Sequence, residues 1–322
     1  MFQRILVPLD GTPQAEQALT VATRLARATD GTIILLQVVG IPADYSTYSF
    51  GAQIAQTPML AEDVLEAEQS RAETYMADVQ QSERLAGMKT ETRVTIGTAA
   101  ATIQDIASED HCDIIVMSSH GDTGFKRWVL GSVAQKVSRH SPVPVLVLHE
   151  DGRAPESIFP DPLRPLRSVM ALVALDGSTF AEAAIEPAAN LVAALAAPAE
   201  GILLFTSIVS TPAAEQAADT NEKTLNDTKA YLNQAAQRYA GMAEQLNLLI
   251  KTSIASGKDV ADALVRAAEE GEEVDGKRLT GNADLIAMAT RGRSGLQHLF
   301  MGSVTERVLG STKLPLLIVH AQ

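Results

Sequence analysis

A chain of 322 residues suits two ordinary domains better than one. Hydrophobic residues make up 46 % and charged residues 20 %, which excludes a disordered chain, while aromatics at 4 % leave the cores to Val, Ile, Leu, Met and Ala, as in helix-covered parallel sheets. The net charge is −13, with 18 acids against 11 bases in residues 1–150 and 21 against 15 in 151–322, so neither half offers a basic face to nucleic acid or anionic membrane.

The opening MFQRILVPLDG predicts a strand over 3–8 and not a signal peptide, because its apolar run is short and meets Asp10 and Gly11. A helix follows over 13–28, with Thr12 as its cap and Pro13 at its first position. Capping by Thr12 frees Asp10 to face the end of the sheet. A strand at 32–38, a turn-rich stretch at 40–60, a helix at 61–86, a strand at 91–96 and a helix at 99–109 come next. Cys112 is the only cysteine, so no intrachain disulfide can form, and a reducing, cytoplasmic setting is expected. His111 beside it has no metal-ligand companions and reads as structural. A strand at 113–118 leads into HGDTGFKRWVLGS (120–132), then a helix at 132–140 and a strand at 144–148.

EDGRAPESIFPDPLRPLR (150–167) carries four prolines and reads as a semi-rigid linker. Beyond it the pattern repeats, with strands near 169–174, 201–206, 248–254, 284–289 and 315–319, and a second turn-rich stretch at 209–222. Residues 113–149 align on 284–320 without a gap, with 12 of 37 positions identical, and Asp10 aligns with Asp176, where Ser178 takes the capping place of Thr12. The chain is therefore a tandem duplication. Its expected organisation is one domain over 1–150, a linker over 151–166 and a second domain over 167–322. Copy two also carries an extra segment, GEEVDGKRLTGN (271–282), read as a surface loop. Five strands joined by helical crossovers predict an open parallel sheet with helices on both faces. No stretch approaches the roughly 18 apolar residues of a membrane span.

The repeated loops decide the functional reading. Gly121 and Gly131–Ser132 recur as Gly292 and Gly302–Ser303, ten residues apart in both copies. Each loop lies between the carboxyl end of a strand and the start of a helix, where open α/β sheets bind ligands. SVAQ and SVTE predict capping boxes, Ser132 with Gln135 and Ser303 with Glu306. Backbone N–H groups and the helix dipole favour an anion there, and glycine lets phosphate oxygens come close. The same glycines could instead serve turn geometry alone, with the serines as simple caps. Lys126, Arg127, Arg291 and Arg293 could reach phosphates but read as solvated charges, and His120 is replaced by Arg291 in copy two, which argues against a catalytic role. His149 and His320 end the last strands and read as surface or interface residues. The chain has no GxxxxGK[ST], no dinucleotide GxGxxG after the first strand and no GxSxG elbow.

At VPLDG and VALDG, at the two G-x9-GS loops and at the closing PVLVLH and PLLIVH strands, the sequence resembles the universal stress protein family in its tandem form. The resemblance implies a five-stranded α/β sheet in 3-2-1-4-5 order, of the adenine nucleotide alpha hydrolase-like type, and pairing of domains through their last strands. Here it would give a pseudo-twofold pair within one chain, with a homodimer as a further option. It also implies an adenine nucleotide, ATP or its ADP and AMP forms, with Mg as an accompanying ion. Nucleotide-binding members carry G-x2-G-x9-G-[S/T]; this chain has Ser118 and Ala289 in place of the first glycine, strained there only if the backbone needs positive φ. By resemblance the first site comprises Pro8, Leu9, Asp10 and Val38 on the adenine and ribose side. Met117, Ser118, Gly121, Gly131, Ser132 and Val133 complete it. The second comprises Ala174, Leu175, Asp176 and Thr206, with Met288, Ala289, Gly292, Gly302, Ser303 and Val304. Ala174 replaces the proline and Thr206 the usual apolar residue, so the first site keeps more of the pattern. A non-nucleotide scaffold for protein partners is the alternative reading. No repeated acid/base pair marks catalysis, so a weak ATPase or phosphotransferase is the most enzymatic reading the residues allow.

Overall fold

A computed structural model describes residues 2–40, 58–119, 130–149, 158, 168–210, 218–271, 273–274, 277–278, 282–290 and 301–321. Gly121, Gly292, the loop residues around them and all of the predicted linker except Ile158 lie outside that set, as do 41–57 and 211–217 of the two turn-rich stretches.

Strand β1 (Arg4–Leu9) is apolar on both faces, with Ile5, Leu6 and Val7 each fully buried. Such a strand needs cover on both sides, which the crossovers supply. The first half runs β1, α1 (Gln17–Thr29), β2 (Thr32–Gly40), α2 (Pro58–Gln80), a 3-10 turn at Glu83–Leu85 and β3 (Lys89–Gly97). It continues with α3 (Ala99–Glu109), β4 (Ile114–Ser118), α4 (Ser132–His140) and β5 (Val145–Leu148). The second half runs β6 (Met170–Ala174), a helical turn α5 (Thr179–Glu182), α6 (Ile185–Ala196), β7 (Gly201–Ser210), α7 (Ala218–Gln245) and β8 (Leu248–Gly257). Then come α8 (Val260–Glu270), β9 (Glu273–Val274), β10 (Lys277–Arg278), β11 (Leu285–Thr290), α9 (Ser303–Ser311) and β12 (Leu316–His320).

The main sheet has ten strands in the order β3-β2-β1-β4-β5-β12-β11-β6-β7-β8. Each half is therefore a parallel 3-2-1-4-5 sheet, as expected from the resemblance. The halves join through β5 and β12, which pair antiparallel with Leu146 opposite Leu317. An antiparallel pair of equivalent strands relates the two halves by an approximate twofold. Two expectations need correcting. The strand predicted at 201–206 runs on to Ser210, because β8 pairs with it along its whole length, Ser210 opposite Gly257. Part of the inserted segment forms an antiparallel hairpin, Lys277 opposite Val274 and Arg278 opposite Glu273, instead of a plain loop.

The two halves share their cores. One apolar layer joins Ile5, Val7 and Leu25 with Ile185, Leu195 and Leu203; the other joins Leu6 and Ile34 with Leu172 and Ile318. Around the seam, Arg24 on α1 donates to the carbonyls of Ile158, at 2.8 Å, and Leu195 at the end of α6. Burial lowers the Arg24 pKa. Arg139 on α4 pairs with Glu306 on α9.

His320 lies at this seam, as the sequence reading allowed. Its Nε2 sits 3.1 Å from the Arg139 carbonyl, and its Nδ1 is buried without a hydrogen-bond partner. Burial is the main cause of its lowered pKa, against the smaller opposing effect of that carbonyl. The unfolded chain then binds the His320 proton more readily than the folded one. Stability is lost as pH falls through the unfolded value near 6.5. Urea titrations at pH 7.5 and 5.5 should show a smaller loss for His320→Gln than for the parent chain; equal losses would remove His320 from the pH response.

Candidate functional site

In both halves the carboxyl ends of the central strands open onto a cleft beside a helix start. The first cleft has a volume of about 240 Å³. Pro8, Leu9 and Asp10 line it from the end of β1, Val38 from β2, and Met117 and Ser118 from β4. Gly131, Ser132 and Val133 close it at the start of α4. The second cleft, of about 610 Å³, repeats this plan. Ala174, Leu175, Asp176 and Thr206 form one side, and Met288 and Ala289 the floor. Gly302, Ser303 and Val304 close it at the start of α9. Every predicted site residue among those described thus lines one of the two clefts.

The equivalence between them needs a correction. Pro8 lies opposite Leu36, and Ala174 opposite Thr206. The counterpart of Thr206 is therefore Leu36, and that of Val38 is Ile208. All four line their clefts. The expectation that Thr206 replaces the usual apolar residue came from ending β7 four residues early. A slip of two residues keeps a side chain on the same face of a strand, so the error left Thr206 at the site.

The aspartates are not as free as predicted. Thr12 does cap the turn that follows it, accepting from the Ala15 N–H at 3.2 Å, although α1 itself begins later, at Gln17. Ser178 caps α5 in the same way through Ala181. But the Thr12 N–H and hydroxyl both donate to Asp10 Oδ1, at 3.0 and 2.6 Å. Asp176 Oδ1 accepts from the Ser178 N–H and hydroxyl at 2.9 and 2.5 Å. The turn thus fixes each carboxylate through one oxygen, and both aspartates remain exposed, which leaves Oδ2 for a ligand. Gly11 and Gly177, at φ +87° and +85°, make that turn.

The helix starts also differ from prediction. The N-caps of α4 and α9 are Gly131 and Gly302, and neither helix carries a side-chain cap. Ser132 and Ser303 sit one position inside, with helical backbones, so no capping box forms. Gln135 and Glu306 instead meet each other across the seam, at 3.4 Å. The glycine amides are themselves engaged: Gly131 N–H donates to the Ser119 carbonyl at 2.8 Å, and Gly302 N–H to Thr290 Oγ1 at 3.0 Å. Among the described residues no acceptor meets the first-turn amides after them, at Ser132 to Ala134 and Ser303 to Thr305, and these are the donors a ligand would find there. Gly302 has an ordinary φ of −62°, and a Cβ there would meet only Thr305 Oγ1, at 3.9 Å. Neither the backbone conformation nor packing against the described residues demands glycine at that point.

Ser118 and Ala289 lie inside β4 and β11, and the positive-φ non-glycine residues among those described are Asp30, His111 and Asn247. The lost first glycine of the motif therefore causes no backbone strain. The thiol of Cys112 is buried, and burial first and Asp110 second push its pKa up to about 11, which makes it unreactive. No group of three or more metal-ligating side chains occurs among the described residues.

Sequence reading missed a second duplicated feature. Tyr75 donates to Glu16 at 3.2 Å, and Arg84 reaches the same carboxylate at 3.4 Å. In the second half Tyr231 donates to Glu182 at 3.2 Å, with Arg238 at 2.5 Å. Burial, then the carboxylate, raise the pKa of both tyrosines, which stay protonated donors. The signal was present: each glutamate stands six residues after the site aspartate. The tyrosines come from distant helices at different spacings, so no alignment revealed them.

The sequence pattern of the universal stress protein family matches residues 1–149 and, a second time, 170–320. The chain belongs to the universal stress protein family. Universal stress protein Rv2005c of Mycobacterium tuberculosis is 24 % identical over 240 residues, 72 % of this chain and 70 % of the relative. A universal stress protein from Archaeoglobus fulgidus, 20 % identical and covering 100 % of both chains, has the same fold with a TM-score of 0.64. Another universal stress protein, 21 % identical over 46 % of this chain and 97 % of that one (TM-score 0.30), was solved in complex with cAMP. Two tandem universal stress protein units therefore make up the chain. No helix among the described residues is long and apolar enough to cross a membrane.

The two kinds of glycine at the site can be told apart by stability. Gly177→Ala places a side chain at φ +85° and should cost about 1–2 kcal/mol. Gly302→Ser supplies the missing cap and should be neutral or stabilising by about 0.3 kcal/mol in the same urea titration. A large loss for Gly302→Ser would mean that packing, not open space, requires glycine there.

Proposed function

We propose that the protein binds an adenine nucleotide (ATP, or ADP and AMP) at one or both clefts and acts in stress response or signalling by binding rather than by turnover. The observation that supports this most is the pair of helices that begin at glycine, without side-chain caps, at the carboxyl ends of parallel strands. A helix start of that kind favours phosphate oxygens through unpaired amides and the dipole. Among the described residues nothing approaches a Cβ position at Gly302 more closely than Thr305 Oγ1, at 3.9 Å, so they do not crowd the helix start on that side. The apolar walls around Val38 and Met117, and around Ile208 and Met288, suit the faces of a purine ring. Asp10 and Asp176, held through Oδ1, would accept from ribose hydroxyls with Oδ2.

The second cleft is the stronger candidate. Its volume falls in the ordinary range for small-molecule sites, roughly 300–1,000 Å³. Ile208 restores the apolar residue it was expected to lack. Mg would arrive with the phosphates and share a single aspartate, since that ion commonly binds through one or two carboxylates and substrate oxygens. Among the described lining residues the ionisable side chains are Asp10 in the first cleft and Asp176, Asp227 and Tyr231 in the second. That set suits recognition better than acid–base chemistry. The lone, buried Cys112 supports a reducing, cytoplasmic setting.

Calorimetric titration of the full, nucleotide-stripped chain with ATP tests the proposal. Binding is expected, and Gly302→Val should weaken it at the second cleft at least about tenfold by crowding the first-turn amides. Flat heats with the parent chain at millimolar ATP would end the nucleotide reading.

A further inference from the structure

The two edges of the ten-stranded sheet are built differently. β3 forms one edge and β8 the other, and no described strand pairs with the outer side of either. Their residues can be matched through the strands beside them. Lys89, Glu91 and Arg93 lie opposite Thr32, Ile34 and Leu36. Leu249, Lys251 and Ser253 lie opposite Ile202, Leu204 and Thr206. Since Leu36 is the counterpart of Thr206, Leu249 stands where β3 has Lys89, Lys251 where it has Glu91, and Ser253 where it has Arg93.

Charges guard the β3 edge. Each is ion-paired within the chain, Lys89 to Asp30 at 2.7 Å, Glu91 to Arg4 at 3.1 Å and Arg93 to Asp110 at 2.6 Å. A strand laid along β3 would have to cover or break those pairs, which is how edge charges discourage pairing. Gln80, the last residue of α2, also reaches this edge and donates to Thr90 Oγ1 at 3.0 Å. β8 lacks such protection. Its single ionisable residue is Lys251, and Leu249 is 41 % exposed. Ala236 stands five residues after Tyr231, as Gln80 stands five after Tyr75. In place of a glutamine bridge, a groove of about 610 Å³ runs between α7 and β8, lined by Ala236, Ala240, Leu248 and Ile250 among others.

The β8 sequence is also self-complementary. Laid antiparallel on a second β8 about Thr252, it sets Ile250 opposite Ile254, Lys251 opposite Ser253, Leu249 opposite Ala255 and Thr252 opposite itself. β-Branched residues pair well in such a ladder, and no like charges face each other. That order favours a second copy over an unrelated strand. The chain already contains a join of this kind: β5 and β12 pair antiparallel, and α1 and α6 pack together over one face of that seam. Twofold pairing of two β8 strands would likewise bring both α7 helices to one face, with their grooves beside the new seam. We propose that a second copy of the chain pairs antiparallel with β8, centred on Thr252, and joins two ten-stranded sheets edge to edge. This inference is independent of the nucleotide reading.

Sedimentation equilibrium of the full chain tests it. A dimer should form, with a dissociation constant on the order of ten micromolar. Leu249→Lys places the first-half residue at an exposed position; it should weaken the dimer at least about tenfold and leave the urea midpoint unchanged. Thr252→Cys should cross-link two copies on oxidation with copper–phenanthroline, because the pairing sets the two thiols face to face. Thr92→Cys, at the corresponding position of β3, should not, and the buried Cys112 offers no competing thiol. A chain that stays monomeric at about 100 μM overturns the proposal and leaves the edge to an extended segment of another protein. A dimer that keeps its affinity with Leu249→Lys, or that Thr252→Cys fails to cross-link, pairs through another surface and overturns it as well.

Discussion

A helix that starts at glycine leaves its first amides without an internal acceptor, and everything proposed for this protein depends on where two such helices begin. The sheet decides that place. Parallel strands buried on both faces can present backbone polar groups and polar side chains only at their ends. β4 and β11 run from the sheet's interior to its carboxyl edge, and α4 and α9 start beside that edge. The Gly131 and Gly302 amides are tied back to Ser119 and Thr290, which fixes the helix starts against the strand ends. The Asp-Gly turns after β1 and β6 then hold a carboxylate on the opposite rim. A cleft with amides on one side and an oxygen acceptor on the other follows from the fold, and it occurs twice.

The seam between β5 and β12 turns two such units into one body. Apolar layers continue across it, and Arg24, Arg139, Glu306 and His320 surround it with polar contacts. Duplication inside one chain releases the two clefts from identity. A homodimer would have to place the same residue at Pro8 and Ala174, or at Leu36 and Thr206; a tandem chain can vary them separately. The fused arrangement lets the two clefts differ in this way.

Much of this was legible in the sequence because it rests on periodicity and repetition. Apolar runs such as ILV and IIVM marked strands buried on both faces, and the ungapped match of 113–149 on 284–320 marked the duplication. The candidate aspartates and the glycine–serine pairs followed from their places in that repeat, and the strand-end residues from the family resemblance. What failed were inferences that depend on backbone geometry. SVAQ and SVTE have the composition of capping boxes, yet the preceding glycine takes the cap position and shifts each serine into the helix. β7 outruns its apolar pattern because pairing with β8 continues through Ser207 and Ser210, so counting from the apparent end misaligned Thr206 with Val38. Tyr231 reaches the second cleft from α7 at a separation from Asp176 that differs from that between Asp10 and Tyr75, and no linear pattern carries that contact.

The most direct test of the central claim is to observe the amides themselves. Backbone amide NMR of the ¹⁵N-labelled chain, titrated with ATP, should move the resonances of Ser303, Val304 and Thr305 most, while Gly302, already bonded to Thr290, moves less. If ATP binds and those three resonances stay in place, the helix starts are not the phosphate site and the account of both clefts is wrong.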